Sequence, residues 1–358
     1  MAGLFFGNRD IDVSITASTS YKFAYLNKCI FVTDEADIPI QKLDGKTATT
    51  ELATYLEDNT LTAPNLESAM ELFIGQTDNS GNTIYPEYVY IIGATEIDVT
   101  SSTDLIEAAI EAVVDQYDFY CLVPVFESIP FNTWFATWGN TNKRIMMPYT
   151  TTQDLEVTEA EQSIRTCGIY DAEGEFKNAA WAGRVVSYDS LISYKWKFLT
   201  GCTTDDLTDG DVSTLEENGW NGYREVRSLG ETTGSRTFYN TADNDSFIDT
   251  IIVRDNIIYN VANALSSMFK SNEKVAMGDS GRKLVEQAIT TALNYCGKQD
   301  LIEQFEDGTY QYSVTVPTIT STMRSTRDLT DVEFTYVPAY SMEKITVDGY
   351  EILEWIEE

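Results

Sequence analysis

The sequence predicts a mixed α/β and α+β chain, in which a mainly parallel α/β unit is inserted between an N-terminal strand and a C-terminal α+β unit. Three observations predict this. From Lys28 to about Tyr149, short continuous apolar runs alternate with helical stretches, which is how strands covered on both faces read. Beyond Asn244, two long apolar stripes of helical period precede two stretches in which apolar and polar residues alternate. Near the N-terminus Ile11, Val13 and Ile15 alternate with Asp10, Asp12, Ser14 and Thr16, which is strand patterning where chains commonly fray. The chain has 358 residues, enough for about two domains on the usual length scale.

In chain order, a strand over Lys28 to Thr33 is followed by helices over Thr47 to Glu57 and Asn65 to Ile74. The second starts just after Pro64, whose locked φ suits a first helical turn. A polar loop over Gly75 to Asn82 leads to a buried strand over Tyr88 to Gly93. Ser101 to Tyr117 predicts a helix with Leu105, Ile106, Ala109, Ile110 and Val113 inward. Phe119 to Val125 predicts a strand, Phe131 to Trp138 a short aromatic helix, and Lys143 to Tyr149 a further strand. Ser163 to Tyr170 adds a strand and Asn178 to Ser190 a helix, after which Lys195 to Thr204 carries the chain into the C-terminal unit.

That unit opens with a helix over about Phe247 to Lys270, because Ile248, Ile251, Ile252, Ile258, Val261, Ala262, Leu265, Met268 and Phe269 recur at spacings of three and four. A second helix covers Ser280 to Cys296, with Asp279 or Ser280 placed as cap and Gly297 as its end. Tyr310 to Val316 and Val332 to Val337 then alternate, and each is stopped by a proline that cannot donate to a ladder, Pro317 and Pro338. The chain continues to an acidic, apolar tail in which Ile345, Val347 and Ile352 need a surface to bury against. Two strand-like ends on one polypeptide suggest arms that add to a sheet, in their own subunit or in a neighbour.

Composition excludes several classes. With 57 acidic and 24 basic side chains the formal net charge is −33, which argues against a direct nucleic-acid binder, since phosphates must be neutralised by Lys and Arg. There is no histidine, which removes Ser-His-Asp and Cys-His catalysis and the common zinc sites together. A hydrolase using two carboxylates for glycoside cleavage stays open as an alternative, as does an array-forming surface protein. Cys29, Cys121, Cys167, Cys202 and Cys296 are odd in number and widely spaced, which fits reduced, buried thiols of a protein made in the cytoplasm. The N-terminus reads as no signal peptide, and no apolar run is long enough to span a bilayer, so no direct membrane contact is expected.

Each candidate site has a plain structural counterpart. The loop Asp205 to Asp211, with Gly210 and Glu216, echoes a calcium-binding loop, but Leu207 stands where an oxygen ligand belongs, so a solvated acidic loop is the preferred reading. Gly278 to Lys283 opens a helix yet lacks the Gly-Lys-Ser/Thr of a phosphate-binding loop, so a structural turn is expected. Lys270, Lys274, Arg282 and Lys283 gather there in an otherwise acidic chain, either as a solvated face or as a surface for an acidic partner. Trp134, Trp138 and Trp181 read as core rather than as a sugar cleft.

The run Ser193 to Thr208 (SYKWKFLTGCTTDDLT), the helix end at Asn263 to Leu265 and Met268 to Lys270, the stretch Lys274 to Gly281, and Ser321 to Asp328 with Arg324 and Arg327 together resemble tail sheath proteins of contractile phage tails and phage-tail-like particles. The resemblance covers roughly the C-terminal half. It departs from the family at Pro338 to Glu343, where a histidine-containing turn is usual and none is present. What it implies is a structural subunit with no catalytic residues, no cofactor and no metal. Such a subunit winds helically with copies of itself around an inner tail tube and contracts to drive the tube through a cell envelope. Implied partners are the tube protein, the baseplate, and neck or terminator proteins at the ends, within a virion or phage-tail-like particle. The implied division is an N-terminal arm and strand at 1–20, the inserted α/β unit at 21–190, a sheath core domain at 191–344 and a C-terminal arm at 345–358. Ile11, Val13, Ile15, Ile345, Val347 and Ile352 become the inter-subunit arms, and Lys270, Lys274, Arg282 and Lys283 the tube-facing residues.

Overall fold

The structure is a computed structural model that describes residues 26–96, 98–186, 192–239 and 247–341. The expected arm residues Ile11, Val13, Ile15, Ile345, Val347 and Ile352 lie outside the described residues. The first part of the chain folds as strand β1 (Cys29–Thr33), strand β2 (Ile38–Asp44), helices α1 (Ala48–Asp58) and α2 (Pro64–Ile74), strand β3 (Tyr88–Gly93), helix α3 (Asp104–Val113), strand β4 (Cys121–Pro124), helix α4 (Ile129–Asn142) and strand β5 (Ile145–Met146). The five strands form one sheet in the order β2-β3-β1-β4-β5, parallel except for β2. β1, β3 and β4 are buried along their whole length because successive side chains serve opposite faces and helices cover both. Phe31, Val89, Ile91 and Cys121 pack with Leu52 of α1 and Leu66, Met70 and Phe73 of α2. Ile30, Val32, Tyr90 and Leu122 pack on the other side with Ile106 and Ile110 of α3 and Phe131 and Phe135 of α4.

β2 carries no strand pattern in the sequence, because Pro39 interrupts it and only Ile38 and Leu43 of its residues are buried; it is an antiparallel edge strand with an irregular register between Ile38 and Gln41. The helix expected over Ser101 to Tyr117 is shorter, and Leu105 points outward at 57% exposure, although its neighbour Ile106 and Ile110 one turn beyond that are buried. The expected strand Lys143 to Tyr149 is two short strands in different sheets: β5 continues the central sheet, while β6 (Tyr149–Thr150) pairs with β7 (Gly168–Tyr170). Pro148, which has no N–H to donate, lies between them.

β6 and β7 form a second parallel sheet with β8 (Trp220–Asn221), flanked by helices α5 (Lys177–Val185) and α6 (Asp209–Glu217) and followed by the hairpin β9 (Tyr223–Val226) and β10 (Leu229–Thr232). Helix α7 (Ile248–Ser271) comes next, 24 residues long, and helix α8 (Asp279–Lys298) packs on it. Strands β11 (Tyr312–Thr315) and β12 (Glu333–Tyr336) pair antiparallel, with helix α9 (Ser321–Thr326) between them in sequence. α8 begins at Gly278 as cap with no side-chain cap bond, and it runs past Gly297 to Lys298. Gly297 therefore does not end the helix; a Cβ there would overlap the Tyr310 ring, so its role is close packing.

The expected domain boundary near residue 190 is not where the apolar core divides. Tyr194, Leu199, Tyr223, Ile248 and Ile252 pack into the core of the α/β unit, whereas Val253, Ile257, Ile258 and Val261 belong to the helical cluster. The division falls inside α7, since a helix of about 36 Å at 1.5 Å per residue outreaches a single core. A buried polar anchor marks the place. Arg165 donates to both oxygens of Asp255 at 2.7 and 2.9 Å, and the Tyr120 hydroxyl donates to Asp255 Oδ2 at 2.7 Å. Burial, with the Asp255 charge beside it, keeps the Tyr120 hydroxyl well above its ordinary range and so protonated.

Candidate functional site

The acidic loop is built for structure. Asp205 accepts from the buried Lys177 ammonium at 2.8 Å and from the Ala172 N–H at 3.1 Å. Burial opposes the charge on Lys177, but the bond to Asp205 and the charges of Asp171 and Asp205 outweigh it and hold its pKa above the ordinary value. Thr208 caps α6 by accepting from the Asp211 N–H at 3.2 Å, while the Asp211 carboxylate accepts the Thr208 N–H at 2.8 Å. Leu207 packs against the cluster of Tyr170, Leu215, Trp220 and Phe238. No grouping of carboxylates and cysteines fit for a metal occurs among the described residues.

The tryptophans do not share a cleft. Trp181 is fully buried on the α1/α2 side of the central sheet and donates its indole N–H to the Tyr194 carbonyl at 3.0 Å. Trp134 and Trp138 stack at 4.9 Å between ring centroids on the α3/α4 side.

The four basic residues expected to meet a partner fall at one end of the α7/α8 pair. Lys270 and Lys274 are exposed at the end of α7 and in the turn that follows, and Lys283 is exposed in the first turns of α8. Arg282 differs from them. It is half-buried and donates through Nη1 to the Val316 carbonyl at 3.2 Å, tying α8 to the end of β11.

The sheet formed by β11 and β12 is the most unusual element. Tyr312, Val314, Phe334 and Tyr336 are half-buried against the α7/α8 cluster, while Ser313, Thr315, Glu333 and Thr335 face outward, with Ser313 and Thr335 hydroxyls bonded at 2.7 Å. Among the described residues this sheet has two strands, so each strand keeps one edge that no described strand covers. Two strands alone are marginal in water, and an uncovered edge is a template for a further strand.

No protein-family model matches the chain, and no curated protein sequence matches it. Solved structures do. A protein of the anti-feeding prophage baseplate superposes with a TM-score of 0.67 at 14% identity, covering 96% of this chain and 98% of that one. A chain of the contracted helical sheath of the same prophage gives 0.65 at 13% identity, covering 96% and 99%. A chain of the contracted PVC sheath complex, an extracellular contractile injection system, gives 0.62 at 14% identity and 96% of both chains. The sheath tail protein of Desulfitobacterium hafniense gives 0.56 at 10% identity, covering 91% and 99%. The fold is that of contractile-system sheath proteins, over nearly the whole chain. Among the described residues no helix is long and apolar enough to cross a membrane.

Proposed function

We propose that this chain is a structural subunit of a contractile sheath, polymerising helically around an inner tail tube and contracting to drive that tube through a cell envelope. The observation that carries this reading is the two-strand sheet β11/β12, read together with strand patterning at both chain ends and the whole-length likeness to sheath proteins. In this reading the segments containing Ile11, Val13 and Ile15 and containing Ile345, Val347 and Ile352 are arms that extend β11/β12 of neighbouring copies. An added strand of four or five hydrogen bonds contributes a few kcal/mol, at about 0.5–1.5 kcal/mol per bond. That holds a mesh together while weaker surface contacts exchange during a rigid-body rearrangement.

The remaining roles follow from the same reading. Lys270, Lys274 and Lys283 face the tube, where complementary charge fixes register more than affinity, and Arg282 braces them. The sheath core is the α7/α8 unit with β11 and β12, and the α/β unit is an outer insertion. Baseplate and neck or terminator proteins cap the array. The chain works by assembly and has no active site, and it is made in the bacterial cytoplasm before joining a phage tail or phage-tail-like particle.

The test is deletion of residues 1–17. The shortened chain is expected to stay folded and monomeric while the full chain forms hollow tubes of one diameter in negative-stain images. Tubes of normal appearance from the shortened chain would remove the arm model.

A further inference from the structure

We propose that the outward face of the β9/β10 hairpin, with the bulged segment beside it, docks onto helix α3 of a second copy of this chain; this rests on the sheath reading and gives it a residue-level contact. The hairpin face is apolar and exposed. Trp196 is 54% exposed, Phe198 52% and Leu229 68%. The register pairs Leu229 with Val226 and Glu231 with Arg224 on this face, while Tyr223 and Thr232 on the other face are buried in the core. Phe198 points away from its buried neighbour Leu199.

The backbone is held in place to display these groups. Trp196 N–H donates to the Thr232 carbonyl and Thr232 N–H to the Lys197 carbonyl, both at 3.0 Å, so two residues oppose one in a bulge. Trp196 sits at φ 62°, in the left-handed position where such bulges normally use glycine. The hairpin loop is Arg227 at φ 51° and Ser228 at φ 68°, where Asn-Gly is the usual pair. Strained backbone that presents large apolar side chains to solvent marks a surface selected for contact.

Charge identifies the occupant. Lys195 lies 5.0 Å over the Trp196 ring, Arg227 is exposed at the loop, and Lys197 and Arg224 are close by, against Glu231 and the Asp209 that pairs with Arg224, while Glu225 belongs to the other face. In a chain of 57 acidic and 24 basic residues, a face where bases outnumber acids is matched to an acidic surface. Helix α3 supplies one with apolar residues at its centre. Leu105 is 57% exposed, and Ala108 and Ala112 continue its stripe, also exposed, at spacings of three and four. Asp104 and Glu111 flank the stripe, and Glu107 has its pKa raised by burial and then by the like charges of Asp104, Glu111 and Glu96, against the pull of Thr103. A cationic partner relieves that crowding, and flat alanines receive bulky rings.

The two surfaces cannot meet within one molecule. Tyr194, Leu199 and Tyr223 pack on the α1/α2 side of the central sheet, whereas Ile106 and Ile110 of α3 pack on the other. A contact between two different faces of two copies is head-to-tail, and it builds a ring or an open helical array according to its rotation.

The experiment uses the full chain and follows assembly against concentration by sedimentation velocity, with thermal melting as the folding control. Leu229→Asp is expected to raise the concentration needed for assembly about tenfold or more, the scale of one well-buried contact. Lys195→Glu with Arg227→Glu is expected to act similarly, and mixing that chain with one carrying Asp104→Lys and Glu111→Lys is expected to restore assembly. If the wild type assembles and Leu229→Asp assembles at the same concentration, or if the mixed charge-reversed chains do not recover, this contact is wrong and the sheath reading stands. A wild-type chain that stays monomeric at all concentrations overturns both.

Discussion

Ile91 of β3 and Phe334 of β12 are both strand residues packed against helices, yet Ile91 is wholly buried and Phe334 only half. The contrast extends to their sheets. The central sheet has five strands and helices on both faces, and its inner strands show no exposed position. Among the described residues the β11/β12 sheet has two strands, one face on the α7/α8 cluster and the other turned outward with Glu333 and three hydroxyl residues. The first region satisfies its own backbone and buries its own apolar surface. The second does so only in part among the described residues, and an open edge of that kind can accept a further strand.

The two regions are expected to respond differently to substitution. The largest effects belong to the self-sufficient region. Trp181→Ala is expected to cost about 3–5 kcal/mol in urea unfolding of the monomer, the range for a fully buried large aromatic. Asp255→Ala leaves Arg165 as a buried charge without its bidentate partner and is expected to cost about 3–5 kcal/mol. Because the pair joins the α/β core to α7, this variant is also expected to split a single unfolding transition into two, which differential scanning calorimetry resolves.

Phe334→Ala is expected to cost only about 1 kcal/mol in the monomer, since its side chain is half-buried and large losses come from filled cores. Its effect on tube formation is expected to be greater than on folding. Equal losses in both measurements would erase the distinction between the two sheets. Alkaline pH probes the self-sufficient side again. Lys177 has its pKa raised in the folded state, so its stabilising contribution is fully present below the ordinary lysine value of 10.5 and is lost as pH climbs through the raised value. Lys177→Met is expected to flatten that part of the stability profile in thermal melts. The smallest folding effect is expected from Lys270→Glu with Lys274→Glu, within about 0.5 kcal/mol for exposed charges. Under the proposed sheath role the same change is expected to weaken co-sedimentation with an inner tube protein, and unchanged attachment would dispose of the proposed tube-facing role.

Particular residues show how far the sequence reached. The stripe from Ile248 to Met268 and that from Leu284 to Leu293 placed α7 and α8 nearly end to end, because a helix buries one face at a fixed period. Continuous apolar runs placed β1, β3 and β4 for the same kind of reason. The β9/β10 hairpin has no turn signal in the sequence, since Arg227 and Ser228 stand where Asn-Gly would announce it. The spacing of its neighbours places Leu105 inward, but a helix of ten residues covered on one side has room inside for only part of an apolar face.

The strongly patterned segments, α7, α8, β1, β3 and β4, and the faces they bury can be read along the chain, because those properties repeat at 3.6 or 2 residues. Tertiary structure alone decided what covers each face. It joined Arg165 to Asp255 across 90 positions, turned Arg282 from an outward charge into a brace on Val316, and shared α7 between two cores. Such pairings depend on where distant segments cross in space, and a periodic pattern carries no record of that.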